Sequence, residues 1–116
     1  MKYKVLITDP ISDSGVRILE NNNCEIINKV NDKKNIDKII NQIDAWIIRS
    51  GTQISKEHIS KAKKLQIIGR AGVGVDNIDI NAATKYGIVV MNVPDGNSIS
   101  AAEHTVAMML TLSRNI

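Results

Sequence analysis

Five short runs rich in valine and isoleucine recur along the chain, and helical patterns separate them. The runs are Val5–Thr8, Glu25–Asn28, Ala45–Ile48, Gln66–Gly69 and Ile88–Asn92. Runs that are apolar on both faces and alternate with helices indicate a parallel sheet that is covered on each side. The pattern predicts a flavodoxin-like, doubly wound α/β domain with five parallel strands in the order 2-1-3-4-5.

The stretches between these runs carry residues that cap helices. Four helices are predicted from them: Ser12 or Asp13 to Leu19, Asp32 to Ile40, Ser55 to Ala62, and Asp79 to the C′ residue Gly87. Each predicted helix connects two predicted strands, as a parallel sheet requires.

A further apolar helix is predicted after residue 98. Ser100–Glu103 has the pattern of a capping box, and the residues beyond it are apolar nearly all the way round. A sheet that is already covered could not bury such a helix. We therefore expect residues 99–116 to lie between this domain and a second domain or a partner subunit, and otherwise to fray or pair with a neighbouring copy. The chain would then be a fragment, with its first domain over residues 1–98.

Composition argues against several classes of partner. The net charge of +3 comes from lysines that are scattered or lie on predicted helix faces, and Phe is absent, so nucleic-acid binding is not expected. Cys24 is the single cysteine, which leaves no intramolecular disulfide and no thiolate metal site, and it is expected to be a small core residue. No segment has the length of a signal-peptide core or a membrane span, so we expect a cytoplasmic protein without a metal.

Glycines and arginines follow the predicted strands. The segments after strands 1, 3, 4 and 5 are Asp9, Arg49–Thr52, Arg70–Asn77 and Asn92–Ser98. Ligands of doubly wound sheets bind at the carboxyl ends of the strands. Gly72 and Gly74 let the backbone approach a ligand, and Arg49 and Arg70 add two guanidinium groups at adjacent strand ends. The arrangement predicts an anion-binding site.

Other polar residues are expected to have structural roles. Asp9 is interpreted as the end of the first strand, capping a turn before Pro10, and the alternative is a role near a domain cleft. Trp46 is expected to pack within the third strand and to need a partner for its N–H. His58 is expected to face water from its helix, and His104 to lie in the first turn of the last helix.

Three segments together resemble one enzyme family. They are Ile48–Thr52, Gly69–Asp79, and Asn92–Ser98 followed by Ser100–Glu103. In order, spacing and identity they are similar to the N-terminal part of the D-isomer-specific 2-hydroxyacid dehydrogenases, and within that family to the D-3-phosphoglycerate dehydrogenases. The resemblance spans the chain. It implies NAD-dependent oxidation of 3-phosphoglycerate to 3-phosphohydroxypyruvate on the route to L-serine.

The resemblance also implies roles for seven residues. The amides of Gly72, Val73 and Gly74 would hold the substrate carboxylate, and Val73 would also lie near the cofactor. The residues that would face the phosphate end of the substrate are Arg49, Ser50 and Arg70. Asn97 would contact the substrate from the domain junction. Gly51 stands where an alanine is common in the family, and Asp95 stands where an asparagine is common. Neither difference removes an implied contact.

The same resemblance places the remaining machinery outside this sequence. The dinucleotide fingerprint and the catalytic Arg, Glu and His would belong to a missing NAD-binding domain, toward which residues 99–116 form the first crossover helix. The fragment alone is therefore expected to be inactive, and the parent enzyme is expected to be a homo-oligomer.

Two alternatives differ in substrate or in class. Another D-2-hydroxyacid dehydrogenase, such as a glycerate or hydroxypyruvate reductase, would share the scaffold. Its substrate, however, would have no second anionic group to pair with both Arg49 and Arg70. A receiver-like signalling module needs an acidic pair after strand 1, an aspartate ending strand 3 and a lysine ending strand 5. Those places hold Asp9 alone, Arg49 and Asn92.

Overall fold

The computed structural model describes residues 2–74 and 76–114, with side chains through residue 112. Five strands and four α-helices follow one another: β1 Tyr3–Ile7, α1 Asp13–Glu20, β2 Cys24–Asn28, β3 Ala45–Ile48, α2 Lys56–Lys61, β4 Ile67–Ala71, α3 Ile80–Lys85, β5 Val89–Val93 and α4 Ser98–Arg114. Two 3₁₀ turns, Lys33–Asn35 and Ile40–Gln42, lie between β2 and β3.

The strands form one parallel sheet in the order β2-β1-β3-β4-β5, which confirms the predicted fold. β4 and β5 extend further than predicted, because Arg70 pairs with Ile48 on one side and with Asn92 on the other. Arg70 therefore lies inside the sheet and not in the loop that follows it. This corrects the sequence analysis, which placed it after the strand.

Apolar side chains cover both faces of the sheet. On one face, Leu6, Trp46 and Ile68 pack under α2, α3 and the 3₁₀ turns. On the other face, Val5 and Ile47 pack under α1 and α4. The central strand β3 is buried along its whole length, as expected for a strand covered on both sides.

Most of the predicted helix boundaries are confirmed by their caps. Ser12, Ser55 and Asp79 each accept a hydrogen bond from the backbone amide three residues further on. Gly87 follows α3 with a φ of +72°, a conformation that favours glycine. Capping residues that precede an amphipathic run were thus reliable signals in this chain.

The predicted helix from Asp32 to Ile40 does not form. Asp32 accepts a hydrogen bond from the side chain of Asn35 at 2.7 Å and lies 3.8 Å from the Lys29 ammonium, so its carboxylate does not cap a backbone amide. Without that cap the segment forms only the two short 3₁₀ turns. Ile36 and Ile40 are nevertheless buried and fix the segment to the sheet.

α4 begins two residues earlier than its predicted cap. The side-chain oxygen of Asn97 accepts hydrogen bonds from the amides of Ile99, at 3.0 Å, and Ser100, at 3.3 Å. The predicted capping box between Ser100 and Glu103 is therefore wrong, because both residues already lie within the helix.

α4 also has a burial surface within this chain, contrary to the sequence analysis. Ala102, Val106 and Met109 are buried against the sheet, while Leu110 on the outer side is 46% exposed. The eight-residue α1 leaves part of the sheet face open, and α4 covers it. Residues 115 and 116 of the predicted segment lie outside the described residues, and the domain division at residue 98 stays a prediction.

The starts of α1 and α4 approach each other closely. A Cβ atom on Gly15 would lie 3.1 Å from the carbonyl oxygen of Ser98, so a residue without a side chain lets the two helices meet. The Ser98 hydroxyl donates to the Ser12 hydroxyl at 2.9 Å. This contact joins the segment after β5 to the segment after β1.

Two expectations about single side chains are confirmed and two are corrected. Trp46 is fully buried and donates its N–H to the Thr8 hydroxyl at 2.9 Å, and Cys24 is buried, which raises the pKa of its thiol. His58 is half-buried and does not simply face water, because its ring packs edge-to-face on Trp46 with centroids 5.7 Å apart. His104 is exposed, but it lies beyond the first turn of α4.

No helix in the described ranges is long and apolar enough to cross a membrane.

Candidate functional site

Four connecting segments meet at the carboxyl edge of the sheet. They are Asp9 after β1, residues 49–52 after β3, residues 72–74 and 76–77 after β4, and residues 94–97 after β5. The parallel topology alone brings them together, because every strand ends at the same edge. The site residues predicted from the sequence all lie in these segments, except Arg70 in β4.

Arg70 is only 5% exposed, and its guanidinium group holds the loop that follows it. Nε donates to the Asn77 side-chain oxygen at 2.7 Å, and Nη1 donates to the carbonyl oxygen of Val73. A Cβ atom on Gly72 would lie 2.9 Å from Nη1, so the glycine allows the guanidinium to lie against the backbone. The observed role of Arg70 is to shape the loop, and its contact with a phosphate stays a prediction.

The loop of residues 72–74 offers fewer amides than the sequence analysis expected. The amide of Gly72 donates to the carbonyl oxygen of Val93 at 3.0 Å, so this N–H belongs to the sheet. That corrects the expectation that all three amides face a ligand. Val73 is 77% exposed, and Gly74 has a φ of +82°, which favours glycine. A carboxylate at this loop would therefore depend on the amides of Val73 and Gly74.

Asn77 connects three parts of the site through one side chain. Its amide nitrogen donates to the carbonyl oxygens of Arg49, at 2.8 Å, and Thr52, at 2.6 Å, and its oxygen accepts from Arg70. Asn77 is not among the site residues predicted from the sequence. Its position after the glycines, together with a side chain that both donates and accepts, was the available signal.

Arg49 is exposed and extends over the edge of the sheet. Its amide donates to the Asp9 carboxylate at 2.7 Å, which fixes the start of the loop. Its Nη2 lies 4.0 Å from the point where a Cβ of Gly96 would be, and the Cα of Gly72 lies at the same distance from that point. The Arg49 guanidinium and Gly72 therefore both lie near Gly96, while the Arg70 guanidinium lies against Gly72. That the two guanidinium groups converge on one ligand stays a prediction. Ser50, the next predicted residue, is exposed in the adjoining turn.

Asp9 and Lys33 form an ion pair that the sequence analysis missed. Asp9 is 2% exposed, and its carboxylate accepts from the Lys33 ammonium at 2.7 Å, while Lys33 also donates to the carbonyl oxygen of Gly51 at 2.9 Å. Burial by itself would raise the pKa of Asp9. The hydrogen bonds from Lys33 and from the Arg49 amide outweigh it and hold this pKa below its ordinary value.

The prediction that Asp9 caps a turn before Pro10 is thus wrong. Lys33 was not predicted at this edge, because the sequence pattern placed it in a helix that does not form.

A buried hydroxyl network lies under the Arg49–Thr52 loop. Thr8 accepts hydrogen bonds from the Trp46 N–H at 2.9 Å and from the Thr52 hydroxyl at 2.8 Å. All three residues are buried, so the end of β1 and the end of this loop are tied to the core.

Asn97 is exposed, but its side-chain oxygen is already used by the cap of α4. A contact with substrate would therefore involve its Nδ2 group.

Charges of both signs lie at the described part of this edge. Arg49, Arg70 and Lys33 lie there with the buried carboxylate of Asp9, which pairs with Lys33, and with the exposed Asp76 and Asp95. The Asp76 carboxylate lies 3.6 Å from the point where a Cβ of Gly74 would be. Within residues 2–74 and 76–114, no three His, Cys, Asp or Glu side chains are grouped so that they could hold a metal ion. Neither Arg49 nor Arg70 forms an ion pair within the described residues, so both can attract an anionic ligand, and a receiver-like module would find no acidic cluster after β1.

Comparison with known proteins extends this picture. Residues 5–114 match the family model of the D-isomer specific 2-hydroxyacid dehydrogenase catalytic domain. The chain is 46% identical over 114 residues to D-3-phosphoglycerate dehydrogenase of Methanocaldococcus jannaschii, covering 97% of this chain and 22% of that protein. The chain thus spans about a fifth of the length of this curated relative.

Two solved structures share the fold. Cofactor-bound 3-phosphoglycerate dehydrogenase of Entamoeba histolytica is 36% identical with a TM-score of 0.68, over 81% of this chain and 33% of that one. The 2-hydroxyacid dehydrogenase of Ketogulonicigenium vulgare Y25 is 26% identical with a TM-score of 0.70, over 99% of this chain and 37% of that one. The family match, the sequence identity and the shared sheet show that the chain belongs to the D-isomer specific 2-hydroxyacid dehydrogenases.

Proposed function

We propose that this chain is the substrate-binding part of a cytoplasmic, NAD-dependent D-3-phosphoglycerate dehydrogenase. The enzyme would oxidise 3-phosphoglycerate to 3-phosphohydroxypyruvate on the route to L-serine, and its parent would be a homo-oligomer. The observation that carries the proposal is the exposed guanidinium of Arg49 beside Gly96, at the same sheet edge as Gly72 and the buried guanidinium of Arg70. The similarity to D-3-phosphoglycerate dehydrogenases supports the same substrate.

Each end of the substrate has a matching group in this proposal. The amides of Val73 and Gly74 receive the carboxylate, and Arg49 with the neighbouring Ser50 receives the phosphate. Arg70 contributes positive potential and holds the loop in shape through Val73 and Asn77. A carboxylate and a phosphate together carry about three negative charges at neutral pH, so the guanidinium groups of Arg49 and Arg70 favour their binding.

The chain borders the cofactor in this proposal but does not hold most of it. When bound, NAD supplies the acceptor for the hydride that leaves C2 of the substrate. Val73 would lie near the cofactor, because its side chain is 77% exposed on the loop of residues 72–74, and it contributes no hydroxyl group. Residues 99–116 would lead toward the NAD-binding domain, which would supply the dinucleotide fingerprint and the catalytic Arg, Glu and His. The chain by itself would bind substrate without turnover.

One observation favours a second candidate in the same family. Arg70 is committed to its own loop, so Arg49 is the exposed arginine at this edge in the described ranges. A single exposed guanidinium would also suit a D-2-hydroxyacid dehydrogenase whose substrate lacks a phosphate, such as a glycerate or hydroxypyruvate reductase.

Calorimetric titration of the 116-residue chain separates the two candidates. We expect 3-phosphoglycerate to bind more tightly than D-glycerate. Arg49→Ala removes charge-assisted hydrogen bonds worth about 1.5–3 kcal/mol, which corresponds to a roughly 10- to 150-fold weaker binding of 3-phosphoglycerate. The binding of D-glycerate should change less than about threefold, because it has no group at that end.

Arg17→Ala is the matched control, since Arg17 lies in the last turn of α1 and should leave both affinities unchanged. Equal losses of both ligands in Arg49→Ala would refute the phosphate assignment and support the reductase.

A further inference from the structure

The loops after β3 and β4 share one polar side chain at their closest approach. Asn77 lies in the second loop and donates to two carbonyl oxygens of the first, at Arg49 and Thr52. These two residues stand at the start and at the end of that loop, so one amide group spans it. The remaining functional group of the side chain, the oxygen, accepts from Arg70.

From these contacts we infer that Asn77 is a positioning residue that makes the two loops one unit and aims Arg49 at the phosphate end of the substrate. The inference rests on the proposed function. Asn77 acts through Arg49, and it is not assigned a contact with substrate.

Backbone contacts beside Asn77 strengthen the connection but do not replace it. The amide of Ile54 donates to the Asn77 carbonyl oxygen at 2.8 Å, and the amide of Asp79 donates to the Ile54 carbonyl oxygen at 3.0 Å. These bonds tie the chain after Thr52 to the chain after Asn77. Within the described residues, the link that reaches the Arg49 end from the second loop is the side chain of Asn77.

No other side-chain type meets all three partners in the same geometry. Aspartate keeps the acceptor for Arg70 but has no N–H for the two carbonyl oxygens, and it places a negative charge against them. Alanine removes both functions without adding charge. The two variants therefore separate the connection to the first loop from the connection to Arg70.

The first experiment is a double-mutant cycle on the 116-residue chain, with the affinity for 3-phosphoglycerate as its readout. We expect Asn77→Ala to weaken binding at least tenfold, and to change it less than twofold when Arg49→Ala is already present. Asn77→Asp should also weaken binding, while it keeps the Arg70 hydrogen bond and therefore the fold of its own loop.

Asn22→Ala is the matched control, because the Asn22 side chain also donates to a backbone carbonyl, that of Ile18 at 2.7 Å, beyond the end of α1. It should leave the affinity unchanged. A loss in Asn77→Ala that persists in full without the Arg49 side chain would overturn the positioning role, since the effect would then be general loosening of the chain.

The second experiment does not need the proposed substrate. The amides of Arg49 and Gly72 are both hydrogen-bonded, to Asp9 and to Val93, and report on the two loops in hydrogen exchange. In Asn77→Ala, which removes both functions of the side chain, we expect both amides to exchange about ten times faster, with the Ile47 amide in the buried β3 unchanged.

Failure of the unmodified chain to bind 3-phosphoglycerate would reject the proposed function alone. Loosening of only one loop, or of neither, would reject the inference about Asn77 whatever the ligand is.

Discussion

Asp9→Asn tests whether the buried carboxylate organises the carboxyl edge of the sheet. Asp9 accepts two hydrogen bonds of 2.7 Å, one from the Lys33 ammonium and one from the Arg49 amide, on different oxygens. Asparagine has nearly the same shape but only one acceptor oxygen, so one donor would then face an NH₂ group. The substitution thus removes the charge and leaves the packing in place.

The expected loss of stability follows from these contacts. A hydrogen bond to a charged group is worth about 1.5–3 kcal/mol, and two such bonds are affected. The side chain of Lys33 is 38% exposed, so its ammonium can return to water, and its share must be discounted for solvent screening. We expect the free energy of unfolding to fall by about 2–3 kcal/mol, and the midpoint of thermal unfolding by roughly 10–15 °C.

Urea unfolding followed by tryptophan fluorescence measures this loss. Trp46 is the single tryptophan and is fully buried, so its emission reports on the core. Asp37→Asn is the matched control, because Asp37 pairs with Lys61 at 3.9 Å while both side chains are more than half exposed. Removing that pair should lower the free energy of unfolding by less than about 0.5 kcal/mol.

The pH dependence gives an independent check. The folded-state pKa of Asp9 is below its ordinary value, which is about 3.9 for an unperturbed aspartate. Its contribution is therefore complete above the unfolded-state pKa and is lost as the pH falls through the folded-state pKa. The difference between the unmodified chain and Asp9→Asn should be constant from neutral pH to about pH 5 and shrink below about pH 4. Equal stability of Asp9→Asn and Asp37→Asn, or a difference that stays unchanged at pH 2, would refute the reasoning.

Two further predictions concern packing. A Cβ atom on Gly51 would lie 2.7 Å from the Asp9 carboxylate and 3.2 Å from the Lys33 ammonium. We expect Gly51→Ala to lower the free energy of unfolding by about 1–3 kcal/mol and to raise the pKa of Asp9 in an NMR titration, and an unchanged pKa would contradict this. On α4, Met109→Ala should lower the free energy of unfolding by about 2–5 kcal/mol in urea, whereas Leu110→Ala should lower it by less than about 1 kcal/mol. Equal losses for these two neighbours would show that the inner face of the helix is not packed.

The fold could be predicted from the sequence because two local signals agreed. Runs such as Ala45–Ile48 are apolar on both faces, and this pattern is typical of strands in a sheet that is covered on both sides. Caps such as Ser55 and Asp79 then marked where helices begin. Local pattern and global topology point the same way in these elements.

The errors arose where side chains had a choice of partner. Asp32 could cap a backbone amide, but it binds a neighbouring side chain. Ser100 and Glu103 match a capping box, yet Asn97 caps the same helix from an earlier position. An apolar helix after residue 98 could pack on its own sheet or on another domain, and the sequence alone did not show that α1 leaves part of the sheet uncovered.

The sequence predicted where the site residues lie, but not which residues they contact. Parallel strands place Arg49 and the glycines of residues 72–74 at one edge, and sequence spacing is enough to infer this. That Arg70 is buried within a strand, and that Asn77 and Lys33 join the loops, depends on distances between residues far apart in the chain. Such contacts leave no periodic signal for sequence analysis to detect.

The interior position of β1 has a consequence for how the protein is made. β1 leaves the ribosome before both of the strands that it pairs with, β2 on one side and β3 on the other. At synthesis rates of about 5–20 residues per second, its second edge stays unpaired for roughly 2–8 seconds after it is made. During that interval Val5, Leu6 and Ile7 form an apolar segment of the kind that chaperones bind, and only the arrival of β3 withdraws it from them.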